Sequence, residues 1–389
     1  MRLSWIDTPD ALAHLCTRAR GAEAVALDTE FVWERTYYPG LGLVQLGLGG
    51  DDVHLIDTVA LEGQMEALGG VLSDPAVVKV LHDATQDLQI LSRATGAQPV
   101  NAFDTQRAGG FVGLTASASL QDLVAWAVGL TLDKGETRSN WLARPLSESQ
   151  AEYAADDVRY LLDVYHKLRA EAESRGRLDW VVEEMERYDD PALYGDSDPG
   201  DAIDRVKAQG LGRLSGQQRA VLRAVAAWRE TAARDLDRTR RMVVPDDVLV
   251  TIAQRAPRSE PDLHKLKMTD RQVARYGDGI LDAVAQGLDA DPEPTTRRGR
   301  PGPEDLRRAA RLLVAQGFLA GRCETTGLDA PLVATKSQLA DLVEAGPASV
   351  ADALPGWRYD FVGADLEGLL RGDLSVRLAG ADGWPEAAG

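Results

Sequence analysis

The sequence predicts an α/β domain over residues 1–182, followed by two all-helical units over residues 211–290 and 304–380. Three observations predict it. Short apolar runs alternate with helical spacing as far as residue 174, the pattern of an α/β domain. From Leu211 onward the apolar residues fall at helical spacing only. Two stretches dense in acid, Pro and Gly, residues 183–210 and 291–303, interrupt the pattern and read as linkers.

Taken in order, Thr8-Pro9 starts a helix within residues 1–20, ahead of the first strand. Val25 to Phe31 is rich in Val, Leu and Phe and follows Gly21, so it reads as a strand. A loop with aromatic and basic residues, Val32 to Gly40, comes next. Residues 41–48 and 53–57 read as two strands around the turn Gly49-Gly50-Asp51-Asp52. A helix at 61–72 precedes a strand at 77–82. Asp83 to Leu91 opens a helix with Asp87 in its first turn. Residues 101–105 form a further strand, and Ser119 to Val128 an amphipathic helix. A polar connection at 134–146 leads to one helix from Ser147 to about Ser174, with a capping box at Ser147 and Gln150. The first all-helical unit has helices over 217–234, 248–254 and 270–285. The second ends with a helix over 363–370, and the final Gly- and Ala-rich residues are expected to fray.

Composition narrows the class. The 389 residues suffice for two or three domains with a real core. No apolar run approaches the ~20 residues of a membrane span. The start, Met1 to Asp7, lacks an apolar segment, so a cytoplasmic protein is expected. Cys16 and Cys323 allow no disulfide framework or CxxC site. The five histidines are too scattered to suggest zinc. A net charge of −18 opposes a nucleic-acid partner, but a local basic strip can still bind phosphate on an acidic chain.

The carboxylates carry the chemistry. Strand alternation puts Asp28 and Glu30 on one side and Thr29 on the other. Two carboxylates side by side repel unless a cation sits between them or water reaches them freely, so a metal site competes with an exposed strand end. Asp87 competes between ligand and helix cap. Tyr153 and Asp157 are four apart and share a helix face, whereas Asp156 is rotated away. Four acids and a phenol on three elements could form a two-metal phosphodiester site. Two Mg²⁺ ions about 3.5–4 Å apart bind the attacking hydroxide and stabilise the leaving 3′-oxygen. Mg²⁺ prefers hard carboxylate oxygens.

Three motifs carry a family resemblance. The first is Val25 to Phe31 with Asp28 and Glu30, continuing through Thr36-Tyr37-Tyr38-Pro39 to Leu43-Val44-Gln45-Leu46. The second is His82 to Leu88 with Asp87. The third is Tyr153 to Leu161 with Asp157. Together they resemble the DEDD 3′–5′ exonucleases, and within them the ribonuclease D family. Arg138-Ser139-Asn140-Trp141 through Arg144-Pro145-Leu146 fits the same pattern, although Asp is commoner than Asn140 there. A tyrosine four before the last Asp marks the DEDDy branch. Downstream, Gly212 to Ser215, Val243 to Asp246 and Tyr276 to Ile280 resemble an HRDC (helicase and RNase D C-terminal) domain, with 304–380 a second, divergent copy.

The resemblance implies a ribonuclease-H-like sheet followed by two all-α HRDC domains; a cytoplasmic monomer is expected. It implies two Mg²⁺, with Mn²⁺ able to substitute, and trimming of RNA 3′ ends, tRNA precursors among them, to nucleoside 5′-monophosphates. Asp28, Glu30, Asp87 and Asp157 become the expected metal ligands, and Tyr153 holds the attacking water. A phenol with a pKa near 10 is a poor base, so positioning is its expected role. Asp83 and Asp156 are decoys, and Asp57 and Asp104 are expected to cap or brace. Thr29, Phe31, His82, Trp141, Arg238 and Arg241 are the substrate-binding candidates, with packing the competing role for His82. Arg234, Arg238, Arg240 and Arg241 make the first helical unit locally basic, which suits an RNA backbone or a solvated helix end. A DNA exonuclease with the same site, and a non-catalytic module on the same fold, are the alternatives.

Overall fold

A mixed six-stranded sheet carries the amino-terminal region. The computed structural model describes residues 4–132, 135, 139–294, 302–379 and 383–388. Its strands are β1 (Ser4–Ile6), β2 (Ala24–Val32), β3 (Gly40–Gly47), β4 (Val53–Asp57), β5 (Val78–Leu81) and β6 (Ala102–Asp104), in the order β1-β4-β3-β2-β5-β6. β3 and β4 are antiparallel, with Val44 opposite Ile56. β1 joins β4, β5 joins β2 and β6 joins β5 in parallel. β2 is therefore internal, and Val25, Ala26 and Leu27 are fully buried. β1 lies within the 20 residues that read as a helix and its lead-in. Three residues are too few to show a period, so only the pairing of Trp5 with Leu55 makes it a strand.

Helices α1 (Pro9–Ala19), α2 (Glu66–Leu72), α3 (Thr85–Thr95), α4 (Thr105–Gly109) and α5 (Leu120–Val128) connect and follow the strands. The helix expected from Ser147 to Ser174 is two helices, α6 (Glu148–Arg159) and α7 (Leu161–Ser174). The break falls at Tyr160, with φ −105° and ψ 0°, and no Gly or Pro announces it. Before the turn, α6 approaches β3 closely. A Cβ at Gly47 would sit 3.0 Å from the Val158 carbonyl oxygen, so glycine is what that approach requires. α7 then packs Tyr165 edge-on against Phe103 of β6, with ring centroids 4.8 Å apart.

The chain divides into two compact units. One comprises Met1–Phe31, Leu41–Tyr194 and Pro301–Gly389; the other comprises Val32–Gly40 and Gly195–Arg300. The stretch 183–210, expected as an acidic linker, splits between them. In the first unit α8 (Leu178–Met185) leads to Tyr188, which is fully buried and donates its hydroxyl to Asp104 at 2.6 Å. Asp189 accepts from the Asn101 amide at 2.7 Å. In the second unit Ala202, Ile203 and Val206 enter the core.

The carboxy-terminal residues belong to the first unit. Their helices begin with the long Pro303–Thr326 and end with Ala364–Arg371. Asp329 accepts from the Ala116 amide at 2.7 Å, and Arg177 donates to the carbonyls of Phe111 at 2.7 Å and Thr326 at 2.5 Å. Glu184 is buried among Arg107, Arg358 at 2.7 Å and the Trp357 indole N–H at 3.2 Å. Where fraying was expected, Ser375–Ala379 pairs antiparallel with Trp384–Ala388, and Arg377 bridges to Glu386 at 2.7 Å.

The second unit is helical. Helices over Gly216–Asp235, Asp246–Arg255 and Asp270–Asp289 pack Leu222, Val225, Leu249, Ile252 and Ile280 into one core. Capping boxes at Ser215–Gln218 and Thr269–Gln272 start two of them. Glu230 is fully buried and neutralised locally: Arg240 donates to it at 2.5 and 2.7 Å, Arg205 at 3.2 Å, Arg234 at 3.3 Å and the Tyr37 hydroxyl at 2.5 Å. Asp237 accepts from the amides of Tyr37 and Tyr38 at 3.0 and 3.1 Å. Among the described residues, no helix is long and apolar enough to cross a membrane.

Candidate active site

Asp28 and Glu30 lie beyond the buried half of β2, where the burial of alternate residues begins to relax. α6 supplies Asp157 to the same point. A carboxylate oxygen of each of Asp28, Glu30 and Asp157 lies within 4.8 Å of the other two. Asp87, in the first turn of α3, is 8% exposed and accepts a hydrogen bond from the Thr29 hydroxyl. Tyr153, one turn before Asp157, hydrogen-bonds it through its hydroxyl.

The electrostatics follow from this crowding. Burial, then Asp157, Asp87 and Glu30, push the Asp28 carboxyl well above its usual range. Burial, with Asp157 and Asp87, raises Glu30 to about 8. Burial raises Asp87 to about 7, against the Thr29 hydrogen bond; Asp83 and Asp104 add to the rise. Asp157 rises to about 7 through burial, Asp156 and Asp87. The Tyr153 phenol is pushed up by burial and by Asp157, Glu30 and Asp28, so it keeps its proton at neutral pH. Acids crowded this way fit a bound divalent metal: the donors are hard oxygens, and a cation would relieve the repulsion.

The remaining sequence candidates fall in distinct surroundings. Thr29 is buried, and its hydroxyl is engaged by Asp87. Phe31 is half-buried just past Glu30. His82 shares a hydrogen bond with the Thr105 hydroxyl at 3.1 Å, and burial lowers its pKa, so the ring is neutral. Trp141 is 2% exposed, its ring centroid 6.3 Å from that of Tyr153. A Cβ at Gly42 would collide with the Trp141 carbonyl, so β3 and the Trp141 backbone touch directly. Arg238 and Arg241, in the second unit, are exposed, whereas Arg234 and Arg240 are drawn to Glu230 and Tyr37. Arg138, part of the motif before Pro145, lies outside the described residues.

Two roles were not foreseen. Strand alternation separates Thr29 from the acids, yet its hydroxyl reaches Asp87. Arg144 clamps Asp57 with two bonds of 2.7 Å and also donates to the carbonyls of Gly42 at 2.6 Å and Trp141 at 2.8 Å. The signal was present in the Trp141-to-Leu146 motif, which reads as sequence without assigning Arg144 a partner. Asp57 also caps the amides of Val59 and Ala60, and Asp104 accepts from those of Asp83 and Ala84, so both brace. Asp156 turns to Arg159.

An acid cluster on the inner strand of such a sheet, met by an acid and a phenol from one helix, defines a metal-dependent 3′–5′ exonuclease. The family model for 3′–5′ exonucleases matches residues 3–173, and that for the HRDC domain matches residues 218–284. Ribonuclease D of Desulfotalea psychrophila is 35% identical over 360 residues, covering 92% of this chain and 96% of that protein. Ribonuclease D of Escherichia coli is 34% identical, covering 95% and 99%. The crystal structure of E. coli RNase D, described as an exoribonuclease involved in structured RNA processing, superposes with a TM-score of 0.78 at 32% identity, covering 96% of this chain and 99% of that one. The catalytic core of RRP6 from Trypanosoma brucei matches at a TM-score of 0.59 and 25% identity, covering 74% and 80%. The chain belongs to the ribonuclease D family. It is a 3′–5′ exoribonuclease that requires a divalent metal.

Proposed function

We propose that this exoribonuclease trims the 3′ ends of structured RNA, tRNA precursors among them, as a cytoplasmic monomer using two Mg²⁺ ions. Asp28, Glu30, Asp87 and Asp157 hold the metals. The observation that carries this is the convergence of three carboxylates within 4.8 Å, each raised by burial and by its neighbours. Bound there, the metals supply charge neutralisation at the scissile phosphate and an acidified water. The structured-RNA role draws on the description of the E. coli relative.

The side chains divide the remaining work. Tyr153 stays protonated and fixes the water near Asp157; it does not remove the proton. Trp141, buried beside the Tyr153 ring, fixes the ring's angle. Thr29 orients Asp87, and a ligand held by such a partner binds metal better. Phe31 touches the terminal nucleotide, and neutral His82 braces the α3 entrance. Arg238 and Arg241 contact RNA phosphates. Residues 1–182, 211–290 and 304–380 act as nuclease, HRDC and divergent HRDC-like domains.

The test compares a 3′-extended tRNA precursor with a DNA of matched sequence, in Mg²⁺ and in excess chelator. The expected result is stepwise release of nucleoside 5′-monophosphates from the RNA, faster than from DNA and abolished by chelator. Persistent hydrolysis in chelator, or equal rates on DNA, overturns the proposal.

A further inference from the structure

We propose that Tyr188 is a positioning residue for the metal ligand Asp87, acting through the carboxylate of Asp104; this rests on the reading that Asp87 holds a metal. α3, which carries Asp87 in its first turn, starts without a cap of its own. Ala84, the residue before it, has no side chain that can accept a bond from the free amides there. Asp83, one residue earlier, stands at φ 56°, a left-handed conformation that an aspartate keeps only where its surroundings hold it. Asp104, at the end of β6, holds it. One carboxylate oxygen accepts from the Asp83 amide at 3.1 Å, and the other from the Ala84 amide at 3.2 Å. Asp104 thus caps α3 from another strand, and its negative charge suits the start of a helix.

The Asp104 carboxylate is itself held. Its first oxygen also accepts from the Gln106 amide at 2.9 Å, where Asp104 starts α4. Its second accepts from the Tyr188 hydroxyl at 2.6 Å. Tyr188 is fully buried and Asp104 is 1% exposed, so bulk water does not replace a lost hydroxyl. Tyr188 is fixed in turn. Asp189 beside it accepts from the Asn101 amide at 2.7 Å, and the Tyr194 hydroxyl donates to the Tyr188 carbonyl at 2.5 Å. A continuous set of bonds therefore runs from Tyr188 through Asp104 to the turn that aims α3, all within one compact unit. Without the hydroxyl, the second oxygen of Asp104 keeps only the Ala84 amide, and the carboxylate can rotate about its Cβ–Cγ bond. The turn loosens, and Asp87, four residues on from Asp83, is less well placed against Asp28 and Glu30 on β2. A metal shared by acids from separate elements binds more weakly when one of them is poorly placed.

The test measures Mn²⁺ binding by calorimetry, without RNA, for the wild type, Y188F, D87N and the double variant. Phenylalanine removes one hydroxyl and keeps the ring. Y188F is expected to bind Mn²⁺ about 10-fold more weakly, the lower end of the effect of groups standing behind a ligand. In the D87N background Y188F should cost nothing further, because the ligand it positions is gone. At saturating Mn²⁺ the kcat of Y188F should return to the wild-type value, with the KM for RNA unchanged. D104N, which keeps the shape and removes the charge, should show the same loss and the same silence beside D87N, and it carries the test if Y188F fails to fold. An unchanged Mn²⁺ affinity in Y188F, even with a lowered Tm, overturns the proposal and makes the hydroxyl a structural brace. Equal losses from Y188F with and without D87N overturn it as well. Unchanged Mn²⁺ binding in D87N overturns Asp87 as a ligand, and the proposal with it. Weakened binding in D87N beside an unchanged Y188F overturns the proposal alone and leaves the ligand standing.

Discussion

The Thr29 hydroxyl donates to the Asp87 carboxylate, joining the strand that bears Asp28 and Glu30 to the helix that bears the fourth acid. Both groups are buried, so no water replaces the bond if it is lost. Thr29→Val keeps the shape and removes the donor. Asp87 then loses a side-chain contact that favours its ionised form. The variant should fold normally and need about 10- to 100-fold more metal for half-maximal activity, the usual effect of losing a group that orients a ligand. Metal titrations of activity, with circular dichroism as the folding control, check this. An unchanged metal requirement would count against the assigned role.

The crowded acids make metal-free stability depend on pH in a defined direction. Glu30 has an ordinary value of 4.5 and a folded value of about 8; Asp87 and Asp157 move from 3.8 to about 7. Their folded values are raised, so the folded state binds more protons than the unfolded chain between those limits. Stability is thus fullest below about pH 4 as far as these groups go, and is lost as pH rises to about 8. The Tm of chelated protein should fall by at least ~5 °C between pH 5.5 and 8.5, and saturating Ca²⁺ should remove most of the fall. Asp28→Asn, which deletes one repelling charge, should flatten the metal-free curve while abolishing hydrolysis. A metal-free Tm that rises with pH in this range would contradict the account.

Tyr153→Phe removes one hydroxyl beside Asp157 and leaves the ring against Trp141. The single-turnover rate should fall about 10- to 100-fold, the scale of misplacing a reacting group. RNA affinity should change less than twofold. A collapse of affinity at an unchanged single-turnover rate would make Tyr153 a substrate anchor.

The four arginines of the helical unit should separate into two classes. Arg238 and Arg241 are exposed, so reversing both to Glu should weaken binding of structured RNA at low salt and reduce the salt slope by about 2, with Tm unchanged. Arg240→Ala strips the buried Glu230 of its closest cation, leaving Arg205, Arg234 and Tyr37, and should destabilise the helical unit by about 1.5–3 kcal/mol. Thermal melts and salt-dependent binding on the same two proteins distinguish the classes. Equal effects of both on Tm would refute the division.

The acids were legible because chemistry fixes their spacing. Asp28 and Glu30 alternate on one strand, and Tyr153 and Asp157 are one helical turn apart, so local geometry alone pairs them. What could not be read depends on long-range contacts. Nothing local distinguishes Arg240, committed to Glu230, from Arg241, facing solvent. Tyr160 breaks a helix without any of the residues that usually do so. Trp141 reads only as a substrate-binding candidate; its burial beside the Arg144 clamp and against Gly42 rests on contacts that no local pattern announces. The alternating sheet pattern disclosed most strands but not β1, whose three residues pair with β4 about 50 positions away.

Because Trp357, Arg358 and Asp329 are built into the same unit as the sheet, that unit is a nested one: its last pieces are synthesised after the whole of Gly195–Arg300. On the ribosome, the amino-terminal sheet waits for its partner while about a hundred intervening residues emerge and assemble their own core. Glu184 meets Arg107 early, but Arg358 and the Trp357 indole can reach it only after the intervening Gly195–Arg300 has been made. A chain stopped at Asp190 would leave Phe111, which stacks edge-on against Trp357 at 4.9 Å, facing water. A cut that discards everything after the acids would strip Phe111 and Glu184 of these late partners and should yield a sticky, short-lived fragment.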